Sequence, residues 1–158
     1  MNDALKVLII WILIVNSNLC LSQNRTNELC SLRVDTVIKE KVQGEVNWIV
    51  YCSILNNSKS KLKYWSMSCS WTDFFQVADP EILIDGFECK EENSPTIVEV
   101  EPNRSRQIAL RLYQKDKAGN LSKKTKIGFR YINAKKTLNL NETIDDANLV
   151  WSNQLILL

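Results

Sequence analysis

Five carboxylates, Asp73, Asp79, Glu81, Asp85 and Glu88, fall within sixteen residues and are the side chains best suited to acid–base chemistry in this chain. Two carboxyl groups flanking a glycosidic bond can serve as acid and as base or nucleophile. The same oxygens could ligate calcium, but they lack the Asp-x-Asp-x-Asp-Gly spacing that wraps a loop around that ion. The plainer expectation, adopted here, is that they solvate a loop and an exposed strand. No histidine is encoded. That removes the commonest general base, the commonest metal-binding imidazole and the Ser–His and Cys–His nucleophile pairs. A Gly-rich phosphate loop is also missing. The chain is therefore expected to be no enzyme and to need no cofactor and no metal.

Cysteine is the other reactive type. Cys30, Cys52, Cys69 and Cys89 remain if residues 1–22 are removed. Those first residues have the form of a signal peptide: Lys6 supplies charge, Val7 to Val15 an apolar core, and Cys20 and Ser22 the small residues before a cut at Gln23. The apolar run falls short of the ~20 residues that span a bilayer, so an uncleaved anchor is the weaker reading. A secreted or periplasmic domain over residues 23–158 follows, without a transmembrane segment, and an even cysteine count in that setting suggests disulfides. The expected pairs are Cys69 with Cys89 and Cys30 with Cys52, each closing a loop worth ~3 kcal/mol in the chain-entropy picture. Cys52 with Cys89 is the rival pairing. A zinc site is disfavoured because no Cys-x-x-Cys pair exists.

Strand patterning must position these residues. From Tyr64 to Trp71, large side chains at 65, 67, 69 and 71 alternate with serines at 66, 68 and 70, which reads as a strand with one buried and one wet face. On that reading Trp65, Met67, Cys69 and Trp71 point into the core. Val46, Trp48, Val50, Cys52 and Ile54 alternate likewise, and the turn-rich Asn56 to Ser60 between the two strands predicts a hairpin. Further strands are expected around 33–39, 81–84, 96–101, 107–112, 126–131 and 150–157. No segment has a convincing helical period; residues 142–148 could form a turn or two.

The run Asn56-Asn57-Ser58, then Leu62-Lys63-Tyr64-Trp65-Ser66-Met67-Ser68-Cys69-Ser70-Trp71 with Cys89 beyond, together with Trp151-Ser152-Asn153, resembles a group of small exported proteins of Gram-negative bacteria. The resemblance implies an immunoglobulin-like sandwich and a Cys69–Cys89 bridge, and it implies no active site.

Charge is distributed unevenly. Residues 73–101 carry a net of −8 and residues 103–136 a net of +10, hidden in an overall +2. Either the acidic and basic strands lie beside one another or face opposite solvents and recognise nothing, or Arg104, Arg106, Lys115, Lys117, Lys123, Lys124 and Lys126 form a patch for an anionic surface or acidic partner. Nucleic acid is not expected, because aromatic residues scarcely interleave those positions. Trp71, Phe74 and Phe75 could anchor a partner if they emerge at the strand end. Acceptor triplets at Asn24, Asn56, Asn103, Asn120 and Asn141 are read as a product of composition.

The expected architecture is a single all-β domain, an immunoglobulin-like antiparallel sandwich of about seven to nine strands with disulfides. The expected role is a non-catalytic module that binds a protein or envelope component through exposed loops or a sheet edge. Its candidate contacts are Trp71, Phe74, Phe75, Arg104, Arg106, Lys123, Lys124 and Lys126. The alternative is a secreted hydrolase inhibitor that inserts the loop between Trp71 and Cys89.

Overall fold

A computed structural model of the chain describes residues 29–42, 45–86, 90, 92–115, 123–137 and 148–158. The expected signal peptide, Glu88, Cys89, Lys117, the triplets at Asn24, Asn120 and Asn141, and the possible turn at 142–147 lie outside the described residues. Within them the strands are β1 (Cys30–Val42), β2 (Glu45–Asn56), β3 (Leu62–Met67), β4 (Phe75–Val77), β5 (Ile82–Ile84), β6 (Pro95–Val100), β7 (Ser105–Gln114), β8 (Lys123–Thr125), β9 (Ile127–Arg130), β10 (Leu149–Trp151) and β11 (Leu155–Leu157). A 3-10 turn covers Trp71–Phe74. The protein is all-β, and every strand pair is antiparallel.

Alternation builds the largest sheet, ordered β1-β2-β7-β5. Trp48, Val50, Cys52 and Ile54 of β2 are all buried, as their spacing predicts, and Val50 and Trp48 lie opposite Leu110 and Leu112 of β7. The β1–β2 register slips once, between Val34 and Thr36. Such a bulge leaves a residue outside the ladder. Here Asp35 accepts a 2.6 Å hydrogen bond from Ser53 Oγ and a 2.7 Å bond from Arg33 Nε. Asn153 then serves the bulged edge: its Oδ1 accepts the Val34 N–H at 2.7 Å and its Nδ2 donates to the Val34 carbonyl at 3.4 Å.

The remaining strands pair as β10-β9-β4, β11-β8 and β3-β6. Beyond β9 the chain runs along β3, with Trp65 N–H donating to Ile132 O and Ala134 N–H to Lys63 O. One apolar cluster joins all of these, with Leu62 and Tyr64 from β3, Phe75 from β4, Ile127 and Phe129 from β9, Val150 from β10 and Leu155 and Leu157 from β11. The Trp151-Ser152-Asn153 segment has a structural task. Ser152 exchanges two bonds with Ile127, its N–H donating to Ile127 O and its Oγ accepting from Ile127 N.

Three expectations are corrected. β2 and β3 do not form a hairpin: β2 is flanked by β1 and β7, and β3 by β6. Met67 and Cys69 are buried as expected, but the face read as wet is also buried: Leu62, Tyr64 and Ser66 point inward, while Trp65 is only partly covered. Trp65 shares the outer face with Lys63, and its Nε1–H donates to Lys136 O at 2.8 Å. The strand also stops at Met67, so Cys69 and Trp71 lie beyond it; Ser68 and Ser70 instead make turn contacts, with Asn93 Oδ1 accepting from the N–H groups of Cys69 and Ser70. Finally, Cys30 and Cys52 are both free. Cys30 faces Asn56 and Cys52 faces Val34, a four-residue stagger of roughly 13 Å along the strand. A disulfide needs Cα atoms within ~7 Å, so neither this pair nor Cys52–Cys89 is made.

The crossover out of β2 depends on a buried amide. Asn56, 1% exposed, donates through Nδ2 to Ser60 O and Val100 O, and its Oδ1 accepts from Ser58 N and Ser58 Oγ. Its backbone binds Arg104 O and Asn103 N, where Asn103 takes the left-handed conformation that asparagine tolerates better than most residues. Asn56→Ala would strand two carbonyls in the interior. Chemical denaturation should show a loss of about 2–4 kcal/mol, whereas Asn57→Ala at the exposed neighbour should stay within about 0.5 kcal/mol.

Candidate functional site: a groove between two sheet edges

After β3 the polar contacts of Asn93 hold residues 69–70, and the chain enters the 3-10 turn and then β4. Phe75 stacks on Phe129 with centroids 5.2 Å apart, which seats β4 against β9. β4 is the outer strand of its sheet, and β5 is the outer strand of the four-stranded one. A tight turn joins them. Asp79 Oδ1 accepts the Glu81 N–H at 2.9 Å, Asp79 O accepts the Ile82 N–H, and Asp79 N–H donates to Thr125 Oγ1. Between the two edges lies a groove of about 340 Å³, with Thr72, Asp73, Phe75, Gln76 and Val77 on one side and Pro80, Ile82, Leu83, Ile84 and Gly86 on the other.

The bonding pattern of β5 determines what the groove presents. Lys115 N–H donates to Glu81 O, Asp85 N–H donates to Arg111 O, and Leu83 lies opposite Tyr113. In an antiparallel ladder successive residues bond to opposite sides. Residues 81, 83 and 85 thus bond to β7, and the peptide groups of Ile82 and Ile84 point to the groove. The Ile82 N–H is taken by Asp79. The groove side of β5 therefore offers the Ile84 N–H and C=O and the Ile82 C=O.

The expected contact residues do not all gather here. Phe75 lines the groove at 8% exposure, Phe74 is a core residue, and Trp71 is partly buried with its ring edge-on to Phe75 at 6.0 Å. Arg104 precedes β7 and Arg106 sits near its start. Lys123, Lys124 and Lys126 lie by the turn at Asp79, where Ala78 N–H donates to Lys126 O. From Arg106 to Gln114, which meets Ile82 of β5, a strand covers roughly 26 Å. The basic residues are therefore split between two ends of the molecule. Several oppositely charged residues pair locally instead: Lys61 with Glu99 and Glu101, Lys63 with Glu99, Lys123 with Asp79, and Arg111 with Asp85. Asp79 and Glu81 are neighbours in one turn, with Asp79 already hydrogen-bonded.

Sequence reasoning did not single out Gln76, Pro80, Ile82 or Ile84. The available signal was two short, mainly apolar runs, 74–77 (interrupted by Gln76) and 82–84, separated by Asp79-Pro80. Nothing in such a run tells whether its strand will be an edge.

Thiol chemistry is suppressed in the core. Burial pushes Cys30 and Cys52 up from the ordinary 9.0 to about 12, with the charge of Asp35 adding to the effect at Cys52. Burial likewise raises Tyr64 from 10.0 to about 12. Cys69 is not a free thiol. In contrast, Asp35 is lowered, first by the hydrogen bond from Ser53 and then by Arg33.

No family model matches the chain, and no curated protein matches it. Among solved structures, a FixG-related protein from Vibrio parahaemolyticus is similar with a TM-score of 0.38 and 12% identity, over 81% of this chain and 94% of that one. That degree of likeness assigns no activity.

Two outcomes follow from the buried acids. A thiol alkylating reagent at pH 8 should leave Cys30 and Cys52 unmodified in the folded protein and label both after unfolding, as read by peptide mass mapping. In alkali the folded state keeps protons on Cys30, Cys52 and Tyr64 that the unfolded chain loses above pH 9–10. Their contribution to stability is full below pH 9 and is lost as pH rises towards 12. Denaturation midpoints measured across that range should fall, and Cys30→Ala with Cys52→Ala should make the fall shallower.

Proposed function

We propose that the protein is an exported, non-catalytic binding module that holds a protein or envelope component at the groove between β4 and β5. The observation carrying this reading is the groove-facing edge of β5 beside an apolar concavity. Exposed strand edges are natural templates for a partner's backbone. Export rests on the form of residues 1–22, which have a charged start, an apolar core and small residues before Gln23.

The domain is read as an immunoglobulin-like sandwich carrying a Cys69–Cys89 bridge. In support, Cys69 is not a free thiol, and its N–H is held by Asn93, only four residues past Cys89. Such a bridge would pin the far end of the segment that forms the groove wall. The segment from Thr72 to Gly86 forms a concave wall rather than a projecting loop, which favours a receptor over an inhibitor that inserts into an active site. A carboxylate hydrolase draws less support, because Asp79 organises a turn and pairs with Lys123.

The test is photocrosslinking in the native envelope. A benzophenone amino acid replacing Leu83 should yield one discrete adduct, while the same group replacing Lys124 should not. Absence of an adduct at Leu83, or equal labelling at both positions, would refute the groove as the binding site. Edman sequencing of the exported form should begin at Gln23.

A further inference from the structure

We propose that the occupant of this groove is an extended peptide segment that joins β5 as a fifth strand of the β1-β2-β7-β5 sheet, with alternating apolar side chains and basic flanks. The inference rests on the groove reading above and specifies its ligand. Three observations select a peptide. The Ile84 N–H and C=O and the Ile82 C=O form the donor and acceptor row that a neighbouring strand requires. The lining between Phe75, Val77, Pro80 and Ile82 is apolar, which suits every second side chain of a strand and supplies few partners for sugar hydroxyls. The one carboxamide among the described lining residues, Gln76, already has its Oε1 bound to Arg130 at 2.9 Å.

Size and charge narrow the class further. A volume of about 340 Å³ is at the small end of the roughly 300–1,000 Å³ range of ligand pockets. It can hold a few side chains of an extended segment, not a folded element. β5 is only three residues long, so backbone bonds alone would give a weak complex. The extra selectivity comes from Asp73 on one wall and Glu81 just before β5. Both are exposed, and neither has an ion-pair partner among the described residues. Of the other nearby acids, Asp79 is paired with Lys123 and Asp85 with Arg111. A segment with Lys or Arg on either side of its apolar stretch would complement the two unpaired carboxylates, while an acidic segment would be repelled.

The probes are the capped peptide Lys-Val-Thr-Val-Thr-Val-Lys, its counterpart with Glu at both ends, and a copy N-methylated at alternate residues. Each is titrated into the full mature chain by calorimetry and by amide-resolved NMR. The basic peptide should bind at least tenfold more tightly than the acidic one, with shifts centred on Ile82 and Ile84. N-methylation should weaken it at least tenfold, because it removes strand donors and leaves the side chains. Ile84→Pro deletes a groove-facing donor without touching the ladder to β7 and should have a similar effect with unchanged circular dichroism. If that variant does not fold, the N-methylated peptide still decides the matter. Equal binding of the acidic or N-methylated peptides, or shifts elsewhere, would overturn the proposal. A photoadduct at Leu83 without binding of the basic peptide, or an adduct that proves to be glycan, would retain the groove and reject the peptide. No adduct and no peptide binding would reject both.

Discussion

The position of the Phe129 ring constrains most of what surrounds it. It is 1% exposed, meets Tyr64 edge-on at 5.1 Å and stacks against Phe75 at 5.2 Å. Each such contact is worth about 0.5–1.5 kcal/mol beyond the area buried. The contact with Tyr64 decides which face of β3 points inward, and the contact with Phe75 decides where β4 ends its sheet. A groove exists between β4 and β5 because one ring holds the first of those edges in place.

The alternating runs in β2 and β7 were legible, because each turns mainly one face to a single core; in β9 the apolar Ile127 and Phe129 were legible, although Gly128 between them is buried too. β3 was misread for a definite reason. Counting from Trp65 makes tryptophan and methionine the dry face, whereas counting from Leu62 and Tyr64 makes the same strand point the other way. Serine is small enough to be buried at Ser66, and tryptophan is amphipathic enough to lie across the outer face with its N–H bonded. Alternation specifies that two faces differ, and only the partner strands decide which one is wet.

The site was less legible than the fold. Long-range pairing put β6 beside β3 and β5 beside β7, so the edges that frame the groove belong to tertiary arrangement rather than to any local pattern. The contrast between acidic and basic stretches was real in sequence, but among the described residues only Arg111–Asp85 and Lys123–Asp79 pair across it, while Glu99 and Glu101 are held by Lys61 and Lys63, which precede both stretches. Exposed pairs of this kind usually contribute little to stability and more to selecting the correct strand register.

Asn56 carries one more implication, because Asn56-Asn57-Ser58 is also an N-linked acceptor triplet. In the folded chain its amide nitrogen is bonded to two carbonyls and sealed from solvent. Attachment of an oligosaccharide there would replace one of the two N–H groups that Asn56 Nδ2 donates and place a bulky polar group where the interior closes. A eukaryotic secretory host, which adds sugar to nascent chains, would thus obstruct the crossover between β2 and β3 before it could form.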